Sequence, residues 1–223
     1  VALFGWDDLV FTHLSARVPG PEHHFLINPY GLLFHEITAS SLVKVDENGE
    51  VVEAGGLRRV NPAGFTIHSA VHMGREDAGA VMHLHAADGV AVSAHRDGLL
   101  PLSQTAMLCL EHLSYHEYEG VALNLDERER LTRDLGSKSM MILRNHGILT
   151  VGRDVPETFT YLYFLMKACE IQVKAQSCGP VYMPTQQAID TTANQSGSLG
   201  KAAKLTWPAL LRLLDARSPG YNV

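Results

Sequence analysis

The stretch VMHLHAADG, from Val81 to Gly89, places two histidines one residue apart between small and apolar neighbours. Together with the preceding AGA it predicts a short β-strand, and the run ADGVAVSAH that follows predicts a helix. Residues i and i+2 of a strand project to the same face, so His83 and His85 are expected to point the same way as Val81. Two imidazoles at a strand end can chelate one divalent ion. The alternative is that they are ordinary surface or hydrogen-bonded histidines, two of the twelve in the chain.

Before this stretch the chain is rich in β-strand signals. Residues 9–18, 23–31 and 41–53 each carry apolar residues at strand spacing, and the last of these alternates around Asn48-Gly49, a strong hairpin signal. A helix is then predicted to begin at Asn61-Pro62, because Asn is a good N-cap and proline suits the first helical position.

After it, strands and helices alternate irregularly. Residues 99–113 fit either a strand or a helix, 114–120 a strand or a loop, and 124–136 a polar helix that ends at Gly136. Two strand-like runs, SMMIL and ILTVG, flank RNHG, and Asp154 caps a long helix. We predict one domain over residues 1–223, with residues 1–10 as the remainder of a helix, 185–200 as a loose polar segment and 205–215 as a last helix. The pattern favours a layered α/β or α+β fold.

Composition narrows the functional classes. The 223 residues carry a net charge of −6, with 46% hydrophobic and 19% charged residues, a balance typical of a soluble globular protein. Because the basic residues are scattered, we predict no nucleic-acid partner and no membrane association. Three cysteines without metal-ligand spacing are interpreted as reduced thiols of a cytoplasmic protein.

His146 is the strongest candidate for a third metal ligand. It lies in RNHG between two strands, where Gly147 is expected to take a positive φ angle and turn the chain tightly. Two other pairs have the i, i+4 spacing that places both side chains on one face of a helix. These competing pairs are His68/His72 and His112/His116.

Three histidines are a ligand set that fits Zn²⁺, with Mn²⁺, Co²⁺ or Fe²⁺ as alternatives. Three protein ligands leave a coordination position open, as in catalytic sites. An open Lewis acid can polarise a carbonyl or hold an enolate oxygen, which is the chemistry of C–C bond cleavage and formation.

Three separated motifs, in order, carry a resemblance to a known family. NPAGFTIHSAVH, HLHAADGVAVSA and LRNHGILTVG resemble the class II aldolase and adducin superfamily, over about residues 11–176. The resemblance implies a three-layer α/β/α sandwich with a largely antiparallel central sheet. It also implies a divalent metal bound by His83, His85 and His146, and homotetramers with sites between subunits.

Two of the departures from the sugar-phosphate aldolases of that family bear directly on the chemistry. Those enzymes carry a Glu acid/base near the start of the helix after the phosphate loop, where this sequence has Gly64. Their Ser/Thr/Gly-rich phosphate loops correspond here to THLSAR, NPYG and NPAG, which retain only Thr12, Ser15 and Gly31. A glycine cannot remove a proton, and loss of the phosphate loop predicts a substrate without a phosphate group.

The sequence therefore predicts a metal-dependent lyase that acts on a small non-phosphorylated hydroxy- or keto-acid, or on a hydroxylated carboxylate. It would cleave or form a C–C bond by retro-aldol reaction or decarboxylation, through a metal-held enolate. The predicted acid/base is His116, with His13, Glu36 or a metal-bound hydroxide as alternatives. The predicted substrate-binding residues are Asn28, Tyr30, Gly31 and Asn61.

A non-catalytic function is the competing interpretation. An adducin-like protein could retain the metal site and act as an oligomeric binding or scaffold protein. The absence of a lysine-rich tail after the last helix is expected to count against cytoskeletal binding.

Overall fold

The computed structural model describes residues 1–54, 59–122 and 124–223, and its centre is an eight-stranded sheet in the order β4-β3-β2-β1-β5-β8-β7-β6. Neighbouring strands pair antiparallel except for β6 and β7, which run parallel. The strands are β1 (His13–Arg17), β2 (Phe25–Ile27), β3 (Val43–Val45), β4 (Val51–Ala54), β5 (Ala80–Leu84), β6 (Leu113–His116), β7 (Met140–Leu143) and β8 (Gly147–Gly152). The helices are α1 (Pro62–Gly74), α2 (Ala87–Ser93), α3 (Gln104–Leu110), α4 (Glu127–Leu135), α5 (Val155–Ser177), α6 (Gln186–Gln195) and α7 (Ala203–Arg217).

Helices cover both faces of this sheet, which confirms the expected sandwich with a largely antiparallel sheet. Alternate residues of one strand serve opposite cores, since Met82 packs with α2, α3 and α5, whereas Val81 packs with α1 and α4. The β5 side chains at positions 81 and 83 therefore face α1. No helix in the described part of the chain is both long and apolar enough to cross a bilayer.

Local signals place several elements of the chain as predicted. The hairpin of β3 and β4 turns at Gly49, whose φ is +86°. Helix α1 begins directly after Asn61, whose side-chain oxygen accepts a hydrogen bond from the Ala63 amide at 3.1 Å. The ambiguous segment 99–113 contains helix α3, because the hydroxyl of Ser103 caps it by accepting from the Ala106 amide.

Two predicted segments differ from the structure. Residues 1–10 contain a 3-10 turn over Ala2–Phe4 rather than the end of an α-helix, because Gly5 ends that turn in the left-handed region with φ +66°. Residues 185–200 are helical rather than loose. Thr185 caps α6 through its side chain, and the polar composition reflects a surface helix in which no residue is buried. The predicted last helix is present as α7.

The turn between β7 and β8 also forms differently from the prediction. Asn145, not Gly147, has the positive φ angle, at 55°. Asparagine tolerates this conformation better than most residues. Gly147 is required for another reason, since a Cβ atom there would lie 2.3 Å from the carbonyl oxygen of Leu84.

Replacing Asp154 tests the cap of the central helix α5. Its carboxylate accepts a hydrogen bond from the Glu157 amide at 2.8 Å. We expect D154A to lower the free energy of unfolding by about 1 kcal/mol, because that amide loses its partner. D154N is the matched control, since asparagine caps about equally well; urea denaturation in which the two variants are equally stable would contradict this role.

Candidate metal centre

Three histidine rings meet where β5 ends and where the β7–β8 turn returns into β8. His83 is the fourth residue of β5, His85 directly follows that strand, and His146 directly precedes β8, which pairs with β5. The Nε2 atom of His85 lies 3.0 Å from that of His83 and 2.9 Å from that of His146. Each pair of ring centroids is 4.8 Å apart. The fold thus brings together the three predicted ligands.

In two of these rings, the hydrogen bond made by Nδ1 fixes the tautomer. His83 Nδ1 lies 3.0 Å from the carbonyl oxygen of Ile148, and His85 Nδ1 lies 3.1 Å from a carboxylate oxygen of Asp8. Both acceptors require a proton on Nδ1, so in the neutral rings the two Nε2 atoms carry lone pairs. Lone pairs facing each other at this distance repel unless a cation lies between them. The donor set therefore fits a divalent metal ion.

Electrostatics keep the rings in the form that a metal needs. Burial, followed by the neighbouring His146, holds the pKa of His83 well below its ordinary value. Burial, followed by His85 and His116, lowers the pKa of His146 to about 4. Both rings are therefore neutral at neutral pH, and a neutral imidazole is the form that coordinates metals.

The competing pair His68/His72 makes a separate hydrogen-bonded cluster on the buried side of α1. The hydroxyl of Ser15 lies 2.5 Å from His68 Nδ1 and 2.7 Å from His72 Nε2, and His72 Nδ1 donates to the Ala78 carbonyl at 3.0 Å. These contacts occupy three of the four ring nitrogens. The pair connects α1 to β1, and it does not form a ligand set.

The pair His112/His116 does not lie on one helix. His112 is in the turn after α3, with Nε2 3.2 Å from the Ser196 carbonyl oxygen, and His116 is the last residue of β6. The buried ring of His116 lies 2.8 Å from an Asp134 carboxylate oxygen through Nδ1 and 3.5 Å from Glu127 through Nε2. These carboxylates belong to the α4 side of the sheet, and the catalytic role of His116 stays a prediction.

The predicted pocket residues have mainly structural contacts. Asn28 bridges the β1 backbone, since its side chain accepts from the Leu14 amide at 2.8 Å and donates to the Thr12 carbonyl at 3.3 Å. Asn61 caps α1. Tyr30 is half-buried beside Phe11, and Gly31 is exposed with φ +109°. The substrate role of these four residues stays a prediction.

Two site residues were missed by sequence reasoning. Asp8 orients His85, although 77 positions separate the two in the sequence. Tyr118 is exposed, and its ring centroid lies 6.2 Å from that of His146. No local pattern marks either residue, because their only signal is proximity in the folded chain.

Comparison with known proteins decides the family. Residues 1–173 match the model of the Class II Aldolase and Adducin N-terminal domain. The chain belongs to this family.

Three class II aldolase/adducin relatives show how far sequence identity to this chain ranges. The chain is 57% identical to a Caulobacter vibrioides protein described as a "Putative aldolase class 2 protein", over 99% of this chain and 87% of that one. It is 43% identical to alpha-adducin of Rattus norvegicus, over 96% of this chain and only 31% of that protein. The solved structure of L-fuculose 1-phosphate aldolase from Glaciozyma antarctica is 29% identical with a TM-score of 0.87, covering 100% of this chain and 87% of the other.

In this class II aldolase fold, His13 occupies the space beside Gly64. A Cβ atom at position 64 would lie 2.4 to 2.6 Å from three atoms of the His13 ring. The glycine is therefore a requirement for the position of this imidazole. Burial, followed by His85 and His146, lowers the pKa of His13 to about 3, so that the ring is neutral at neutral pH.

Replacing Asp8 tests the orientation of His85. We expect D8A to weaken Zn²⁺ binding about 10- to 100-fold, because His85 Nδ1 loses the carboxylate that fixes its tautomer. Competition with a chromophoric chelator measures the affinity. D7A is the matched control, since Asp7 is the exposed neighbour. Equal affinities for the two variants would contradict the role of Asp8.

The buried histidines also predict loss of stability in acid. Burial is the main cause that lowers the pKa of His72 to about 4 in the folded protein, whereas its unfolded value is about 6.5. Between these values the unfolded chain binds more protons, so the free energy of unfolding falls as pH falls from about 6.5 to about 4. Urea denaturation of the chelator-treated protein measures it, and a constant midpoint across that window would contradict it.

Proposed function

We propose that this protein is a metal-dependent lyase that cleaves or forms a C–C bond in a small hydroxy- or keto-acid, or in a hydroxylated carboxylate, by retro-aldol reaction or decarboxylation. The observation that carries the proposal is the convergence of three Nε2 atoms, two of them with oriented partners on Nδ1. Bound there, a divalent ion would supply a Lewis acid that stabilises negative charge on a substrate oxygen. The family relationship supports the same class of reaction.

Zinc is the metal we propose, because three neutral imidazoles are a common catalytic zinc ligand set that leaves one position open. Manganese, cobalt and iron remain alternatives in the proposal, since imidazole also suits other transition metals. In this scheme the protein's own part is to hold three rings in place with their Nε2 atoms converging. Asp8 and the Ile148 carbonyl perform that part by accepting from His85 and His83.

A substrate without a phosphate group is supported by the contacts of two candidate pocket residues. The side-chain oxygen and nitrogen of Asn28 both hydrogen-bond the backbone at the start of β1, and the side chain of Asn61 caps α1. Gly64 offers no side chain. These contacts leave few polar groups at these positions to bind a phosphate. A carboxylate or hydroxyl oxygen needs fewer hydrogen-bond partners.

We also propose that the protein is a cytoplasmic homotetramer with sites near subunit boundaries. Exposed apolar side chains close to the histidines and to Asp8 support an interface there: Leu9, Phe11 and Tyr118. Phe11 bridges to Asp8, and Tyr118 lies beside His146. Such residues are enriched where one protein surface covers another.

A second candidate function is that of an adducin-like oligomeric binding protein that retains the metal site. The observation that favours it is that identity to alpha-adducin, 43%, exceeds identity to the fuculose-phosphate aldolase, 29%. The chain corresponds to less than a third of alpha-adducin, however, so this candidate concerns the shared domain alone.

Metal analysis followed by a reaction screen tests the proposal. We expect the purified protein to hold about one zinc ion per chain, and H83A to hold less than a tenth of that amount. H23A is the control, since His23 is exposed and lies outside the site. The zinc-loaded protein is then screened with hydroxy- and keto-acids for release of aldehyde or carbon dioxide.

The outcomes separate the two candidates. Turnover of any such acid that is lost in H83A and kept in H23A supports the lyase. Stoichiometric metal without turnover of any acid contradicts the lyase and favours the binding protein. Absence of metal after incubation with zinc, manganese, cobalt and iron would contradict both.

A further inference from the structure

His13 is a buried imidazole without a hydrogen bond. Its exposed fraction is 5%, and within the described residues neither Nδ1 nor Nε2 has a partner. The adjacent hydroxyl of Thr12 is likewise buried and unpartnered. A buried polar atom without a partner costs about 1 to 3 kcal/mol, so a ring with two of them is poorly suited to a purely structural position.

This ring lies directly beside the candidate metal centre. His13 is the cross-strand partner of His83 in the β1–β5 pair, so both side chains project from the same face of the sheet. The two rings are stacked with centroids 5.9 Å apart. On its other side His13 meets the edge of His68 at 5.6 Å, and Ser15 holds that ring through Nδ1.

The backbone around His13 is held in an unfavourable conformation. Thr12 has φ +71°, a rare value for a β-branched residue. The side chain of Asn28 bonds the carbonyl of Thr12 and the amide of Leu14, one residue before and one after His13. Such strain persists only where surrounding contacts impose it, and it is common at ligand sites.

Gly64 gives the ring its space. A Cβ atom there would lie 2.4 Å from Cδ2 and 2.6 Å from Nε2 of His13. The first turn of α1 therefore has no side chain at the position next to the imidazole. Three features therefore lie around the His13 ring: the strained backbone at Thr12, the hydrogen bonds of Asn28 and the missing side chain at Gly64. Both nitrogens of that ring are without a partner in the described residues.

We propose that His13 is a substrate-contacting residue, whose imidazole hydrogen-bonds a hydroxyl oxygen of a ligand bound at the three histidines. A neutral imidazole offers one donor and one acceptor, which matches a hydroxyl group. The inference rests on the proposed metal site and assigns the selection of a hydroxylated ligand to His13.

Ligand binding to the cobalt-loaded protein tests this role. The probes are glycolate and acetate, which differ by one hydroxyl group, and their binding is followed by the visible absorption of Co²⁺. We expect wild-type protein to prefer glycolate. In H13F, a ring of similar size without nitrogen atoms, we expect glycolate affinity to fall about 10-fold while acetate affinity and cobalt content stay unchanged.

Two further variants keep the test decisive. H13Q retains a donor and an acceptor and should lose less glycolate affinity than H13F. G64A should lose as much as H13F, because its methyl group occupies the place of the ring. Urea denaturation checks that each variant folds. If H13F folds poorly, the glycolate affinities of G64A and H13Q test whether His13 contacts the ligand.

Each result bears on one claim. Glycolate binding that is equal in wild type, H13F and G64A would overturn the role of His13, as would a wild type that does not distinguish glycolate from acetate. A wild type that takes up no cobalt would instead overturn the proposed metal site. A 10-fold selective loss with cobalt retained supports the inference.

Discussion

The close approach of the β7–β8 turn to the end of β5 is the contact on which the rest of the site depends. Gly147 packs against the Leu84 carbonyl, at a distance that excludes any side chain. This approach carries His146 towards His85 and presents the Ile148 carbonyl to His83 Nδ1. One backbone contact therefore brings together three candidate ligands and fixes the tautomer of one of them.

The two faces of the sheet differ in the polar groups that they bury. The face covered by α2, α3 and α5 is an apolar core in which Met82, Leu84 and Ile148 are buried together. The face towards α1 also has an apolar core, around Val81 and Leu149, and in addition holds a row of buried histidines, which costs stability because each ring must stay neutral and find a partner. Ser15 and backbone carbonyls provide partners for His68, His72 and His83, whereas His13 has none in the described residues.

Much of the fold followed from local chemistry. Asn61, Asp154 and Asn48-Gly49 marked two helix starts and a hairpin correctly, because caps and turns act within a few residues. The same reasoning failed for residues 185–200, where a polar surface helix has the composition of a loop. It also assigned the wrong residue to the turn before β8, since the need for Gly147 comes from a strand that is distant in sequence.

The sequence by itself determined most of the element types, the layered fold and the candidate set of three histidines, because strand periodicity and the HxH and NHG motifs are short-range patterns. Only the tertiary structure decided what the other candidate residues contact. Asp8 reaches His85, His13 fills the space above Gly64, and His116 turns towards Asp134. The physical reason is that these contacts arise from strand pairing and helix packing, which bring together residues whose separation along the chain carries no pattern.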